Sequence, residues 1–317
     1  MTTTNATKTT KTTKTTKREM KAGESKATLL SVDLDDVGCY HALHGLAAPT
    51  PAQQRIVLER CLPRLLEVLE GANSTATFFV VGRDLERDLA AGGRGAGLLR
   101  QALAAGNELA NHSFEHRYDL SEQAGPEIFA DLRRCDRLLR GLGAAPLGFR
   151  APGYTHNRRL LEQVAALGYR YDSSRLPSPP YFLAKLGALA WLRARGRRSQ
   201  ASARGLGSFV GADRPSFRAD VGLWEVPISV LPFSRLPMVG TLVLSSDAAT
   251  RSAARLGFLH LELHAIDLAD PENDGFDAAL IRRQPELRGG LERRRARLRW
   301  LLKERGGSAT IAGAFGS

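Results

Sequence analysis

The stretch Ala27-Thr28-Leu29-Leu30-Ser31-Val32, which runs directly into Asp33-Leu34-Asp35-Asp36, decides the predicted fold. A short apolar run of this kind is typical of a buried strand, and this one ends in a cluster of carboxylates. Similar apolar runs recur along the chain and alternate with longer segments of helical periodicity. The pattern predicts further strands within residues 76–81, 108–110, 147–150, 169–171, 223–228 and 257–264.

The segments between the predicted strands carry signals for helices. Thr50 and Pro51 suit an N-cap and a first helical residue, and Gly71 suits the end of the same helix. Two more helices are predicted at 126–141 and 157–168. Strands that alternate with helices favour a parallel sheet, and about seven repeats favour its closure. We therefore predict the α/β class: a single-domain, distorted (β/α) barrel of about seven parallel strands, with its active site at their C-terminal ends.

The net charge of +12 is concentrated in two flanking segments of the 317-residue chain. Residues 1–26 contain seven basic and two acidic side chains, and residues 281–305 contain ten and three. The body between these flanks is therefore neutral overall. Since hydrophobic residues make up 43% of the chain and charged residues 25%, its composition is that of an ordinary globular protein. The basic balance does not by itself identify nucleic acid or a membrane as the partner.

The chain is predicted to consist of a tail and one barrel domain with two basic features. Thr-Thr-Lys repeats predict a disordered basic tail over 1–26, and the barrel is expected to cover 27–317. Residues 177–218 predict a basic insertion or lid, which is either a surface helix with a solvated basic end or an amphipathic contact with anionic lipid. Residues 290–305 predict an Arg-rich C-terminal helix that packs on the barrel, with an anionic surface or nucleic acid as alternative contacts.

Cysteine content and hydropathy exclude several classes of protein. Three cysteines without a Cys-x-x-Cys pair do not make a disulfide framework. No apolar run approaches the roughly 18 residues of a membrane span, and the N-terminus lacks the apolar segment of a secretory signal. The Gly-x-Ser-x-Gly motif of serine hydrolases is also missing. We expect a cytoplasmic protein, with peripheral attachment at the inner membrane face as an extension of that location.

Two histidines four residues apart, His112 and His116, are the strongest candidates for metal ligation. On a helical turn, imidazoles at this spacing face the same way and bind one divalent ion. A third ligand is available in the acidic cluster after the first strand, at Asp33, Asp35 or Asp36. Two histidines, one carboxylate and an open position suit Zn²⁺ or another first-row ion that activates water.

Hydrolysis also needs a base for the attacking water and an acid for the leaving group. One aspartate of the cluster is available as the base. In the last predicted strand, alternation puts His260, Glu262 and His264 on one side, and His264 lies at the C-terminal end with the other candidates. Arg150 follows another strand, where it can pair with a carboxylate and fix its orientation.

The order of these motifs resembles that of the polysaccharide deacetylases of carbohydrate esterase family 4, the chitooligosaccharide deacetylase homology domain. Asp-x-Asp, His-x-x-x-His, Arg-x-Pro and Leu-x-His follow one another over residues 29–266. The resemblance implies a distorted barrel and metal-dependent removal of an acyl group from a sugar. It also implies a role for each matching residue: Asp33 as base, Asp35, His112 and His116 as metal ligands, Arg150 as the partner of Asp33, His264 as acid, and Gly153 and Tyr154 as the loop whose backbone stabilises the oxyanion.

Three departures from the family pattern affect the interpretation. Leu34 stands between the first two aspartates, so Asp36 is an alternative to Asp35 as the ligand. Gly153 replaces the usual tyrosine, with Tyr154 one place later. The Asp/Trp motif that supports the acid histidine in the family is not recognisable. These departures resemble the subgroup that acts on lipid-linked sugars.

The leading hypothesis is a metal-dependent hydrolase that removes an acetyl or formyl group from the nitrogen of an amino sugar. The substrate is expected to be a polysaccharide, an oligosaccharide or a lipid-linked glycan, and contact with an anionic membrane is a further expectation. The expected cofactor is one divalent ion, Zn²⁺ first, with Co²⁺, Ni²⁺ or Fe²⁺ as alternatives. The competing hypothesis is a non-catalytic barrel that binds anionic lipid or nucleic acid through its basic flanks, nucleic acid being the less favoured partner.

Overall fold

A computed structural model describes residues 27–194, 196 and 205–316 of the chain. The predicted tail over 1–26 lies outside the described residues, as does part of the predicted insertion, and the division into these regions stays a prediction. Within the described residues, eight strands form one sheet. They are β1 (Thr28–Asp33), β2 (Thr77–Val80), β3 (Glu108–Asn111), β4 (Gly148–Phe149), β5 (Tyr171–Asp172), β6 (Ser216–Arg218), β7 (Leu223–Glu225) and β8 (Leu259–His264).

The order of the strands in the sheet is β6-β7-β5-β4-β3-β2-β1-β8. All neighbouring pairs are parallel except β6 and β7, so seven of the strands described here run in one direction. The segment after β7 then reaches β8: the Ser229 N–H donates to the His260 carbonyl, and the Glu262 N–H donates to the Met238 carbonyl. These contacts close the sheet into a distorted barrel. The predicted α/β barrel is therefore confirmed.

Helices surround the sheet and follow most of its strands. They are α1 (Val37–His44), α2 (Pro51–Gln54), α3 (Leu62–Gly71), α4 (Gly82–Ala90), α5 (Arg94–Ala104), α6 (Gly125–Gly141), α7 (Arg158–Ala166), α8 (Pro179–Ala194), α9 (Gly240–Val243), α10 (Asp247–Ala254), α11 (Ala278–Arg283), α12 (Leu291–Glu304) and α13 (Ile311–Phe315). None of the helices in the described part of the chain combines the length and the hydrophobicity that crossing a bilayer requires.

The helix predicted from Thr50 to Gly71 is interrupted in the structure. Thr50 caps α2 with a capping box to Gln53, and α3 ends at Gly71, so both predicted ends agree with the structure. Between them, Val57–Cys61 forms a π-helical turn. Pro63 follows at once and has no N–H to donate to the preceding turn, which explains why regular helix gives way there.

The inward-facing residues of β1 change in polarity along the strand. Leu29 lies at the N-terminal end in an apolar cluster inside the barrel, which also contains Ile311 and Phe315 of α13. Two and four residues later, Ser31 and Asp33 face the same side. The opposite face of β1 packs on the surrounding helices through Leu30 and Val32. The barrel interior is thus apolar at its N-terminal end and polar at its C-terminal end, which positions the candidate site.

Candidate active site

The acidic cluster after β1 separates into carboxylates with different surroundings. Asp33 ends the strand, and its Oδ1 accepts a hydrogen bond of 2.6 Å from Nη1 of Arg150. Asp36 is the N-cap of α1: its Oδ1 accepts from the Cys39 N–H at 3.2 Å, and its other oxygen contacts Arg87. Asp35 lies between them and points toward the two histidines. Of the two alternative ligands, Asp35 is therefore the one beside His112 and His116.

His112 and His116 converge from an irregular loop after β3, so the helical turn predicted for them is wrong. Ser113 and His116 have φ angles of 64° and 51°, in the left-handed region. Hydrogen bonds hold this conformation, since the Ser113 N–H donates to Oδ1 of Asn111 and the His116 N–H donates to Oγ of Ser113. Asp131 of α6 accepts from the two N–H groups between the histidines. The imidazoles are brought together by these local contacts, with ring centroids 4.9 Å apart.

Asp35, His112 and His116 meet the geometric requirements of a metal site. Oδ1 of Asp35 lies 3.3 Å from Nε2 of His112 and 3.2 Å from Nε2 of His116. Ligands bound tetrahedrally to Zn²⁺ are about 3.3 Å apart, because each bond is about 2.0 Å long. Both Oδ1 of Asp35 and Nε2 of His116 are buried without a hydrogen-bond partner among the described residues. A divalent ion would satisfy both orphaned atoms, so the residues fit the implied metal.

The contacts of the histidine Nδ1 atoms also suit ligation through Nε2. Nδ1 of His112 donates to the Arg150 carbonyl at 2.8 Å, which leaves Nε2 with its lone pair toward Asp35. Nδ1 of His116 is 3.6 Å from Sγ of Cys39, so its Nε2 likewise faces Asp35. Burial alone would raise the pKa of the Asp35 carboxyl, but the two histidines hold it well below its usual range. Asp35 is thus an anion at neutral pH, as a metal ligand must be.

Arg150 is fully buried and fixes the orientation of Asp33. Besides Asp33, its guanidinium donates to Oγ of Ser31 and to both the carbonyl and Oγ of Ser173. The guanidinium carbon also lies 4.2 Å from the centroid of the Phe79 ring. Because these contacts come from three strand ends, Arg150 has little rotational freedom. Oδ1 of Asp33 is committed to Arg150, while Oδ2 faces His112 at 3.7 Å.

His264 lies across the barrel mouth from the metal-site histidines and keeps 25% of its side chain exposed. The register of β1 and β8 pairs it with Asp33. Its Nε2 is 3.9 Å from Oδ2 of Asp35, and its Nδ1 is 3.1 Å from Oε1 of Glu262. Burial would lower the pKa of His264, but Glu262, Asp35 and Asp33 raise it to about 10. His264 is therefore protonated at neutral pH and has a proton to give.

Gly153 and Tyr154 form a tight turn after Arg150, with φ angles of 62° and 64°. The Tyr154 N–H donates to the Ala151 carbonyl and is committed to the turn. A Cβ on Gly153 would lie 2.5 Å from the Tyr118 ring, so glycine is required both by the φ angle and by the close approach. Tyr118 in turn contacts the His116 ring, with centroids 5.4 Å apart. The turn thus lies beside the candidate metal site.

The structure brings together every site residue that the sequence predicted, and their roles stay predictions. Two neighbours were missed as participants, Glu262 and Tyr118. Alternation along β8 already placed Glu262 beside His264, so a signal for it was present. Tyr118 follows His116 by two residues in an irregular loop, and no periodicity there indicates that its ring covers Gly153.

Comparison with known proteins agrees with this geometry. A family profile described as polysaccharide deacetylase matches residues 54–171, a range that includes His112, His116 and Arg150. A peptidoglycan-N-acetylglucosamine deacetylase of Bacillus cereus is 27% identical over 108 residues. Over these residues the chain is similar to the polysaccharide deacetylase family. The match to the Bacillus cereus deacetylase covers 34% of this chain and 47% of the relative, so it spans about half of that relative's length.

Solved structures also resemble this chain in fold. A proposed polysaccharide deacetylase from Mycobacterium smegmatis aligns over 91% of this chain and 87% of its own, with a TM-score of 0.56 and 19% identity. A family 4 carbohydrate esterase from Streptomyces lividans, in complex with acetate, aligns over 89% and 91% with a TM-score of 0.44 and 14% identity. The first alignment supports the fold of the family over nearly the whole described chain.

Proposed function

We propose that this protein is a divalent-metal-dependent deacetylase that removes the N-acetyl group, or a formyl group in its place, from an amino sugar in a glycan. The observation that carries the proposal is one barrel mouth that brings together Asp33 fixed by Arg150, the Asp35–His112–His116 cluster and His264. Similarity to the polysaccharide deacetylase family supports the reaction. The related Bacillus cereus protein, a peptidoglycan-N-acetylglucosamine deacetylase, supports an acetylated amino sugar as the substrate.

Asp35, His112 and His116 would hold the metal ion. When bound, a divalent ion acts as a Lewis acid on the acyl carbonyl and lowers the pKa of water. The donor set of two imidazoles and one carboxylate suits Zn²⁺ and leaves Co²⁺, Ni²⁺ and Fe²⁺ as alternatives. Oδ2 of Asp33 would accept the proton of the attacking water, since Oδ1 is engaged by Arg150 and cannot turn away.

His264 would supply the second proton transfer. As the C–N bond breaks, both of its electrons go to the amine nitrogen, which takes the proton from Nε2 of His264. The N–H of Gly153, in the turn beside the metal site, would donate to the acyl oxygen as negative charge builds on it. The products are the free amino sugar and acetate or formate.

The decisive experiment measures acetate release from N-acetylglucosamine oligomers by purified protein, before and after chelation, with add-back of single divalent ions. Chelation is expected to abolish release and one ion to restore it. Asp33→Asn should retain the metal but lose roughly 10²- to 10⁴-fold in kcat, because it removes the base. A protein that keeps wild-type activity after this substitution would overturn the assignment. If no acylated glycan reacts, the non-catalytic alternative gains support.

We also propose that the natural substrate is a lipid-linked glycan met at the inner face of the membrane. Helix α8 supports this finer proposal, because it presents two large apolar side chains, Leu183 and Trp191, that are 66% and 50% exposed. On the same helix, Lys185 donates to the Gly153 carbonyl at 3.4 Å and pairs with no carboxylate among the described residues, so it is available to a substrate phosphate. Mass spectrometry should find that polyprenyl-phosphate sugars lose the acyl group faster than free oligosaccharides. Equal rates for both would contradict the lipid linkage.

A further inference from the structure

Glu262 is a buried glutamate in the middle of β8, and neither the family pattern nor the proposed function uses it. Its side chain is 0% exposed, and it pairs in register with Ser31, just below the pair of Asp33 and His264. Neither of its oxygens has a hydrogen-bond partner among the described residues. A buried carboxylate without partners is costly and is kept where it has a specific use. The surroundings of Glu262 should therefore reveal that use.

The nearest polar group to Glu262 is the ring of His264. Oε1 lies 3.1 Å from Nδ1 of His264, within reach of a hydrogen bond although the two groups are not aligned as one. Such alignments commonly tighten only when the substrate binds. The other acidic neighbours of His264 act elsewhere: Asp35 faces Nε2, and Asp267 accepts from the backbone N–H of His264. Of these three carboxylates, Glu262 is the one that faces Nδ1.

We infer that Glu262 is the positioning residue of His264, and this inference rests on the proposed function. Glu262 accepts a hydrogen bond from the Nδ1–H group of His264. This hydrogen bond orients the ring so that Nε2 carries the transferable proton toward the leaving amine. When Nε2 gives up this proton, the amine nitrogen gains it, and His264 becomes neutral with its remaining proton on Nδ1. Glu262 stabilises both the cation before transfer and this tautomer after it.

A comparison of two leaving groups distinguishes a positioning role of Glu262 from a merely structural one. An N-acetyl amine must be protonated as it departs, whereas the 4-nitrophenolate of 4-nitrophenyl acetate departs without a proton. We expect Glu262→Gln to lower kcat for the N-acetyl sugar by about 10²- to 10⁴-fold, with KM and bound metal unchanged, since loss of the orienting carboxylate costs about 10⁴-fold in a catalytic triad. The loss with the ester should stay below about threefold. Glu262→Asp should recover part of the amide activity.

Matched variants separate this role from general damage to the barrel. His264→Gln should show the same preference for the ester, and the double variant should be no worse than His264→Gln, because both residues act as one unit. Glu225→Gln removes another buried glutamate at a strand end, whose charged neighbours are His156 and Arg175, and should affect both substrates equally. Equal losses on amide and ester with Glu262→Gln, or loss of metal, would overturn the inference.

A second measurement does not depend on turnover. Imidazole ¹⁵N NMR of the full chain should show a proton on Nδ1 of His264 at every pH where the protein is folded, and Glu262→Gln should shift the neutral ring toward the Nε2–H tautomer. An unchanged tautomer in the variant would refute the positioning role even if no substrate is found. If the wild-type protein turns over neither substrate but Glu262→Gln still shifts the tautomer of His264, the result counts against the proposed function. The positioning of His264 by Glu262 would stand.

Discussion

The two ends of the barrel both bury carboxylates, but the hydrogen bonding around these carboxylates differs. At the N-terminal end, Glu108 accepts from the Thr77 hydroxyl at 2.7 Å, from the Tyr171 hydroxyl at 2.7 Å and from the Ala312 N–H at 2.9 Å. At the C-terminal end, one oxygen of Asp35 and both oxygens of Glu262 have no such partner among the described residues. The Glu108 carboxylate is thus saturated by hydrogen bonds within the fold, whereas Asp35 and Glu262 keep oxygens without one.

The same contrast separates two histidines of β8. His260 is neutral and engaged at both nitrogens: Nδ1 donates to the Pro227 carbonyl at 3.0 Å, and Nε2 accepts from the Ser31 hydroxyl at 2.9 Å. His264 lies four residues further along β8, on the same face, and keeps Nε2 toward the barrel mouth. Residue type and burial are therefore poor guides to function here. For these two histidines and for Glu108, Asp35 and Glu262, hydrogen-bond saturation separates the residues that hold the barrel together from those at the candidate site.

The largest effect on activity should come from a substitution of Asp35, at the C-terminal end of the barrel. Asp35→Asn should lower kcat/KM at least about a hundredfold, because the metal contributes several kcal/mol of transition-state stabilisation. Metal per chain, measured by mass spectrometry after gel filtration, should fall with it. The matched control is Asp36→Asn, which keeps a good N-cap for α1 and should keep both metal and activity. Loss of metal from the Asp36 variant alone would instead identify Asp36 as the ligand.

Much of this arrangement could be predicted from the sequence, because it depends on strand ends. The apolar run before Asp33 defined β1, and parallel strands bring their C-terminal ends to one edge, so Asp33, Arg150 and His264 were expected to meet. The barrel class followed from the alternation of strands with helices. These predictions needed only local patterns and the general geometry of parallel sheets.

Other features depend on contacts between distant parts of the chain and could not be predicted. The loop of His112 and His116 is shaped by left-handed backbone and by Asp131 of α6, where a helical turn had been expected. Closure of the barrel uses the irregular segment around Ser229 and Met238, which carries no strand pattern. The Tyr118 ring covers Gly153 through a contact that no spacing in the sequence indicates.

A substitution of Glu108, whose carboxylate is saturated with hydrogen bonds at the N-terminal end of the barrel, should lower stability and leave catalysis unchanged. Glu108→Gln places an amide N–H₂ among three donors, so at least one of them loses its acceptor. We expect a loss of about 1–3 kcal/mol in the free energy of unfolding, and about 2–4 °C in Tm for each kcal/mol. Urea denaturation measures the first and calorimetry the second.

The matched control for Glu108 is Glu162→Gln, which removes an exposed ion pair with Arg158 and should change stability by less than about 0.5 kcal/mol. Acetate release by folded Glu108→Gln protein should stay within about twofold of wild type, because its partners at the N-terminal end do not touch the candidate site. A large drop in kcat without a drop in stability would show that the two ends are not independent.

The smallest predicted effect is the contribution of His260 to the loss of stability at acidic pH. Burial, and secondarily Arg150, lower the pKa of His260 to about 3, whereas an unfolded histidine titrates near 6.5. Below pH 6.5, His260 therefore binds a proton in the unfolded chain but stays neutral in the folded chain. For this reason, His260 makes stability fall as the pH drops from about 6.5 toward 3. This contribution amounts to about 1 kcal/mol between pH 7 and pH 5.5.

His260→Gln removes this titration while its amide can still bond to Ser31 and Pro227. The free energy of unfolding of the variant should therefore fall by about 1 kcal/mol less than that of wild type between pH 7 and pH 5.5. Both proteins are measured in urea with a chelator present, because metal release in acid would otherwise add its own pH dependence. An identical acid dependence for the two proteins would mean that His260 is protonated in the folded barrel, and the saturated network around it would then need a different proton arrangement.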